Sequence, residues 1–433
     1  MLNSLKIWDI LRTSSLVLCL SQCVVSIYRP VRNHTGLPDA NTNKLRLIYS
    51  WKSLEFDYPN AIARQTAVER GEFTPGDPVP IDVDVIQGRS PKVLVTIPRF
   101  QDGVPVTLGY VTDKVSAEGN PIIAPYPNWE WNRLGNCNNI VSVYRIKVDE
   151  CGRLWVLDNG KLKESQICSP KLLVFNTRTG YLISLYRFPD HQILPDSLFI
   201  TPVVDVRDAN EQCLNTFVYI ADVTGFQLIV YDHQRQRSWN IQNDLFLVDP
   251  DNTTFTIAGQ SFEMPDGLFG LALSPILPNG DRILYFHSLA SIVESWVLTS
   301  VIRDPYPFNY NPRAMARFFH SFRKTRPSQS GAQAMDKNGV LFYGLMSEIA
   351  LGCWNWRNEF GGDNLSIAVV NKETLQFVSG LKVMGMGQRG QEVWVLTSAF
   401  QKVMNGLNPN ETNFRIQAGF VDELVRGTKC RSK

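Results

Sequence analysis

Tyr144 to Gly160, reading YRIKVDECGRLWVLDNG, is the stretch that decides the fold. Tyr144, Ile146 and Val148 alternate with other residues, the period of a strand with one buried face. Asp149, Glu150, Cys151 and Gly152 supply turn chemistry. Leu154 to Leu157 is short and almost wholly apolar, as expected of a strand buried on both faces. Asp158-Asn159-Gly160 then stops it. An inner hairpin of this kind opens a blade of a β-propeller, so the architecture turns on whether it recurs.

Short apolar runs suited to the second strand of a blade occur at Val93–Ile97, Leu154–Leu157, Val218–Ile220, Ile283–Phe286, Leu341–Tyr343 and Val393–Leu396. Successive runs lie roughly 50 to 66 residues apart, close to the period of about 50 in kelch-type propellers with room for long loops. Turn signals precede four of them, at Asp149 to Gly152, Pro278 to Asp281, Asp336 to Gly339 and Gly387 to Gly390. Six units predict an all-β, six-bladed β-propeller. A pair of β-sandwiches would not require turn and strand to recur together. The best helical candidate is Pro312 to Lys324, which neither Gly nor Pro interrupts internally.

A chain of 433 residues with 44% hydrophobic content can bury a large core. The net charge of +2, with both signs scattered, excludes a nucleic-acid groove as a reading. The densest basic segment, Arg313 to Arg326, reads as a solvated face. At the N-terminus, Lys6 and Arg12 precede an apolar run, Leu16 to Val25, too short to span a bilayer but suited to the core of a signal peptide. The expected organisation is a leader over 1–26 and one propeller over 27–433, secreted and without a membrane anchor.

Cys19 and Cys23 fall within that leader, which leaves six cysteines, none in CxxC spacing, so no metal site is expected. On the propeller reading Cys137 and Cys168 lie at one end of the strands, and Cys151 and Cys213 in first-hairpin turns at the other. Cys353 and Cys430 remain, so those three pairings are expected. Sequons at Asn33, Asn252, Asn364 and Asn410 fit an exported, glycosylated chain.

Further stretches carry a family resemblance: Trp51 to Pro59 (WKSLEFDYP), Ile97 to Pro105 (IPRFQDGVP), Phe269 to Pro275 (FGLALSP), Gly352-Cys353-Trp354 and Thr412 to Ile416 (TNFRI). With Tyr144 to Gly160 they resemble, in order, the insect yellow and major royal jelly protein family. The resemblance implies a six-bladed propeller, secretion, and roles in pigmentation and hardening of cuticle or eggshell, in salivary amine binding, or in nutrition. In the amine-binding members the pocket segment corresponds to Ser328, Gln329, Ser330 and Gly331 with Leu341 to Leu345. Ser328, Gln329, Ser330, Phe342, Tyr343 and Gly344 are therefore the ligand-binding candidates. Many members carry Asn where this chain has Gly344, and losing that amide implies weak amine binding.

The chemistry is thinly written. Among five scattered histidines only His287, at the end of an apolar strand, is a candidate base, and a satisfied core or rim histidine is the ordinary reading of that place. Asp158 and Asp222 end second strands, and Ser288 and Ser398 occupy similar places, so these side chains would gather at one channel mouth; turn capping accounts for the aspartates equally well. His287, Asp158 and Asp222 are the catalytic candidates. Fold analogy with a calcium-dependent lactonase adds Asn159 and Asp266 as oxygen donors. The leading expectation is a secreted protein of cuticle or eggshell pigmentation. It would bind a small aromatic amine or catechol, or act as a component of the extracellular matrix, with no cofactor. The alternative is a dopachrome-converting isomerase of the melanin pathway.

Overall fold

Six blades, each of four antiparallel strands and one of them carrying a short fifth strand, arise because each repeat offers a hairpin too small to bury its own faces. The structure, a computed structural model, describes residues 44–431. The innermost strands of blades 1 to 6 are Asp82–Ile86, Val143–Val148, Phe199–Val206, Leu268–Leu273, Ser330–Met335 and Val378–Gly385. Each packs on the next, and the sixth returns to the first, which closes the ring around a central channel. The second strands are Lys92–Thr96, Arg153–Asp158, Thr216–Asp222, Ile283–Ser288, Val340–Leu345 and Gln391–Thr397, so all six apolar runs read from the sequence take this place. Leu154, Trp155, Val156 and Leu157 are fully buried. Burial of each such side chain contributes about 1.5–3 kcal/mol, which explains why the second strand tolerates no polar face.

Ring closure uses distant sequence. Arg46–Trp51 forms the outer strand of blade 6, antiparallel to Phe414–Phe420, with Trp51 opposite Phe414. A short strand, Glu55–Phe56, then runs parallel to the outer strand of blade 1, Pro121–Pro125.

The turn of the opening hairpin recurs in atomic detail. Asp149 Oδ1 accepts the N–H groups of Cys151 and Arg153, both at 2.9 Å. Asp336 Oδ1 accepts those of Asn338 at 2.9 Å and Val340 at 2.7 Å. Gly152 and Gly339 complete the two turns at φ +70° and +85°, a region open to glycine without a Cβ clash. Three disulfides cross the loops: Cys137–Cys168, Cys151–Cys213 between the hairpin turns of blades 2 and 3, and Cys353–Cys430, which ties the C-terminal segment to blade 5.

Pro312 to Lys324 is not a helix. It forms turns, a single 3-10 turn at Ala316–Phe318 and the outer strand of blade 4, His320–Ser321. Phe319 is drawn into the core against Phe246 and Phe286, and the blade edge demands extended backbone there. In the basic segment Arg326 departs from the solvated face: it is fully buried and pairs with Glu294. Among the described residues no helix is long and apolar enough to cross a membrane. The expected leader, Cys19, Cys23 and the Asn33 sequon lie outside the described residues. Asn410 is exposed, whereas Asn252 and Asn364 are half-buried and donate through Nδ2 to Asp249 and to the Glu359 carbonyl.

Candidate active site at the channel mouth

Strand register brings the ends of the second strands to the starts of the inner strands. Asp158 lies opposite Val143, Asp222 opposite Phe199, Ser288 opposite Leu268, and Thr397, just before Ser398, opposite Val378. The residues that the sequence assigned to a common mouth therefore share one end of the channel, but their chemistry differs.

Asp158 is a saturated structural anion. It accepts N–H bonds from Val141 and Ser142, both at 2.8 Å, and from Gly160 at 3.0 Å. Lys171 Nζ, itself fully buried, lies 2.6 Å from Oδ2. Asp222 repeats the device in blade 3. It accepts from Ser197 Oγ at 2.6 Å, Leu198 N–H at 2.7 Å, Gln227 Nε2 at 2.8 Å and Gly225 N–H at 3.0 Å. Burial pushes its carboxyl up, and these donors pull it part of the way back. A Cβ at residue 225 would stand 2.1 Å from Asp222 Oδ2, so glycine is required for the clamp to close. Both carboxylates pin the loop that enters their own inner strand.

His287 is equally committed. It is 1% exposed; Nδ1 lies 2.9 Å from Glu294 Oε2, and Nε2 faces the carbonyls of Ser330 at 3.0 Å and Gly331 at 3.1 Å. Arg326 bonds the same Glu294 oxygen, and Gln333 Nε2 donates to the other at 3.1 Å. This cluster ties blade 4 to blade 5 and leaves neither ring nitrogen open to a substrate.

Of the pocket candidates, Gln329 donates to the carbonyls of Asn252 at 3.1 Å and Thr254 at 2.9 Å, and Ser328 Oγ donates to Glu348. Gln329 thereby anchors a hairpin, Thr254–Ile257 with Gln260–Glu263, which inserts between blades 3 and 4. Phe342 and Tyr343 are core residues at 0% and 1% exposure. A Cβ on Gly344 would meet Val378 Cβ at 2.4 Å, so the backbone here has no room for the amide found in relatives of the resemblance. The hydroxyls of Ser288, Ser330 and Ser398 are buried at this end of the strands with no hydrogen-bond partner among the described residues.

One more acidic residue at this end is one that the sequence reading placed only among possible calcium ligands. Asp266 stands between the hairpin and the inner strand of blade 4. Protein surrounds it, yet part of its surface stays open, as for a side chain lining a wet channel. Burial alone pushes its carboxyl up to about 6, and no donor or cation among the described residues offsets it. Tyr144, on the inner strand of blade 2, feels the charges of Glu164 and Asp266, and together with burial these hold its phenol protonated well above the usual range. A chain of aromatic rings runs through the hydrophobic core near this end. Phe255 stacks on Phe262 at 5.5 Å, then Phe377 follows at 6.3 Å, Phe400 at 5.2 Å and Phe100 at 6.2 Å. Tyr144 packs against both apolar clusters that contain these rings. One residue further along that strand, Arg145 lies over the Phe269 ring at 4.7 Å, and Asp82 pairs with Lys382 at 2.8 Å. This end of the channel thus carries a chain of phenylalanine rings, a carboxyl with no donor among the described residues, and a buried phenol. Among the described residues no three His, Cys, Asp or Glu side chains gather as metal ligands.

The family model described as Major royal jelly protein matches residues 141–430. The chain is 36% identical over 420 residues to Major royal jelly protein 9 of Apis mellifera, covering 94% of this chain and 95% of that protein. It is 31% identical over 399 residues to Dopaminechrome tautomerase of Drosophila melanogaster, covering 90% and 84%. To Protein yellow of Drosophila madeirensis it is 31% identical over 405 residues, covering 91% and 68%. The chain belongs to the major royal jelly protein and insect yellow family.

Proposed function

We propose that this family member is an exported protein that takes a catecholamine-derived ring into the channel mouth and tautomerises it. Export rests on the N-terminal apolar run and on three disulfides, which persist in oxidising compartments. The observation that carries the reaction is Asp266: a part-open carboxyl, raised to about 6 and free of hydrogen-bond donors, beside a protonated Tyr144. Each tautomerisation step of an aminochrome breaks one ring C–H bond and forms one O–H bond, with no oxidant or reductant, and two such steps make the ring aromatic. Asp266 as carboxylate removes the carbon-bound proton, and the C–H electron pair moves into the ring. The quinone carbonyl pair shifts to oxygen, which takes a proton from the Tyr144 phenol, and the Asp266 proton then passes through solvent to the Tyr144 phenolate, restoring both groups. A base with a pKa just below neutrality combines ionisation with basicity. The chain of phenylalanine rings supplies π faces to a flat substrate. The sequence alone favoured binding or a matrix role in pigmented cuticle or eggshell; Asp266 puts proton transfer ahead of it. The relative named as a dopaminechrome tautomerase supports the same order.

The test follows aminochrome absorbance with the purified, glycosylated protein. Saturable conversion is expected, with kcat lowered about 100-fold or more in Asp266→Asn and less in Tyr144→Phe. If binding proceeds with no conversion above buffer, the binding or matrix reading takes first place. If Asp266→Asn turns over like the parent, the assignment of the base is wrong.

A further inference from the structure

A second cavity, of about 510 Å³, opens on the flank of the propeller between blades 1 and 2, away from the channel. Its walls are aromatic and cationic. Tyr126, Trp131 and Tyr181 contribute rings, Lys92 and Arg178 contribute charge, and no Asp or Glu lines it. Lys92 Nζ stands 4.6 Å from the centre of the Tyr110 ring and 5.8 Å from that of Tyr126, and no described carboxylate pairs with it. Arg178, on the turn before the outer strand of blade 2, is exposed and likewise has no ion-pair partner among the described residues. Tyr126 is 3% exposed, and its hydroxyl has no hydrogen-bond partner among the described residues. Burial pushes that phenol up to about 12, so it is a donor at neutral pH. Tyr126 lines the cavity, and its buried, unpartnered hydroxyl is an unfilled half of a contact. Trp131 is braced edge-on by Phe175 at 5.0 Å, which fixes the orientation of the indole beside the cavity.

From this set of donors and cations over rigid rings, we infer that the lateral cavity is a binding site for a small organic anion with a flat apolar body, such as an aromatic carboxylate. The rings cover the flat face, Lys92 and Arg178 draw the negative charge, and Tyr126 donates a hydrogen bond to one carboxylate oxygen. A cationic amine is disfavoured by the same two charges. The lateral and channel sites therefore select opposite charge: the channel mouth carries carboxylates, this cavity only cations.

The experiment is isothermal titration of the intact protein with 2-naphthoate, 2-naphthamide and 2-naphthylmethylamine, three probes sharing one ring system. Saturable binding of the naphthoate is expected, at least tenfold tighter than either of the other two. Tyr126→Phe, which removes only the unpartnered hydroxyl, should weaken naphthoate binding about tenfold. The double variant Lys92→Met with Arg178→Met should abolish the preference for carboxylate over amide. Asp266→Asn should leave naphthoate binding unchanged, whether or not it alters aminochrome turnover. No naphthoate binding at millimolar concentration, equal affinity for all three probes, or loss of binding in Asp266→Asn alone would each overturn the assignment. Circular dichroism and thermal melting of Tyr126→Phe confirm that it retains the fold.

Discussion

Asp222 and Asp266 stand at the same end of neighbouring blades, yet one is a clamp and the other is half-buried with no donor among the described residues. Asp222 accepts four hydrogen bonds and locks the loop into blade 3; Asp158 does the same in blade 2, with Lys171 as its buried counter-ion. Asp266 accepts none from the described residues, and desolvation alone sets its pKa. Donors aimed at a buried carboxylate offset part of the cost of burying its charge and occupy the lone pairs that would take a proton. One that the protein leaves unsatisfied is destabilised as an anion and therefore basic. What separates structure from chemistry at this mouth is the count of donors aimed at each carboxylate rather than its place along the strand.

The same substitution, Asp to Asn, sharpens the contrast because it keeps shape and removes charge. In Asp158→Asn the Lys171 ammonium is left buried without its counter-ion, which is expected to cost about 3–5 kcal/mol in urea unfolding. In Asp222→Asn an amide NH2 faces two donors, so loss of about 2–4 kcal/mol is expected from the same measurement. A stability unchanged within 0.5 kcal/mol, roughly the range of surface substitutions, would break the idea that these two are clamps.

Asp266→Asn is expected to change stability least, and in the opposite direction. Its carboxyl is raised from 3.8 to about 6, so the folded state holds a proton that the unfolded state has released between those values. The parent's stability from this group is full below about pH 4 and is lost as pH rises through 6. The variant does not titrate, so at pH 7.5 it should exceed the parent by about 1–3 kcal/mol, with the difference vanishing toward pH 4. A variant less stable than the parent at pH 7.5 would mean that Asp266 has an unseen partner and is a third clamp.

The propeller was legible because its second strands are buried on both faces, and a run such as Leu154 to Leu157 has no other use in a chain of short elements. The closing strand, Arg46–Trp51, carried no such signal, since its partner lies more than 360 residues away and pairing between distant segments leaves no local pattern. Pro312 to Lys324 failed as a helix for a related reason: the demand of the Phe246–Phe286 core for Phe319 overrides local preference. Strand ends told which side chains share the mouth, but not which were already occupied. His287 reads from sequence as a core or rim histidine or as a base, and only the positions of Glu294 and of the Ser330 and Gly331 carbonyls, contributed by later segments, reveal that both ring nitrogens are engaged. Asp266 was the reverse case. The dipeptide Asp266-Gly267 looks like any turn, and nothing in it says that no donor will arrive.

The central claim, that the ionisation of Asp266 governs the chemistry of the channel mouth, is tested most directly by the pH dependence of kcat/KM for aminochrome conversion between pH 4.5 and 8. The expected profile rises through an apparent pKa of about 6, set by a carboxyl that must be ionised to act as base, and this inflection is absent from the residual activity of Asp266→Asn. A profile flat across pH 5–7, or the same inflection surviving in the variant, would contradict it.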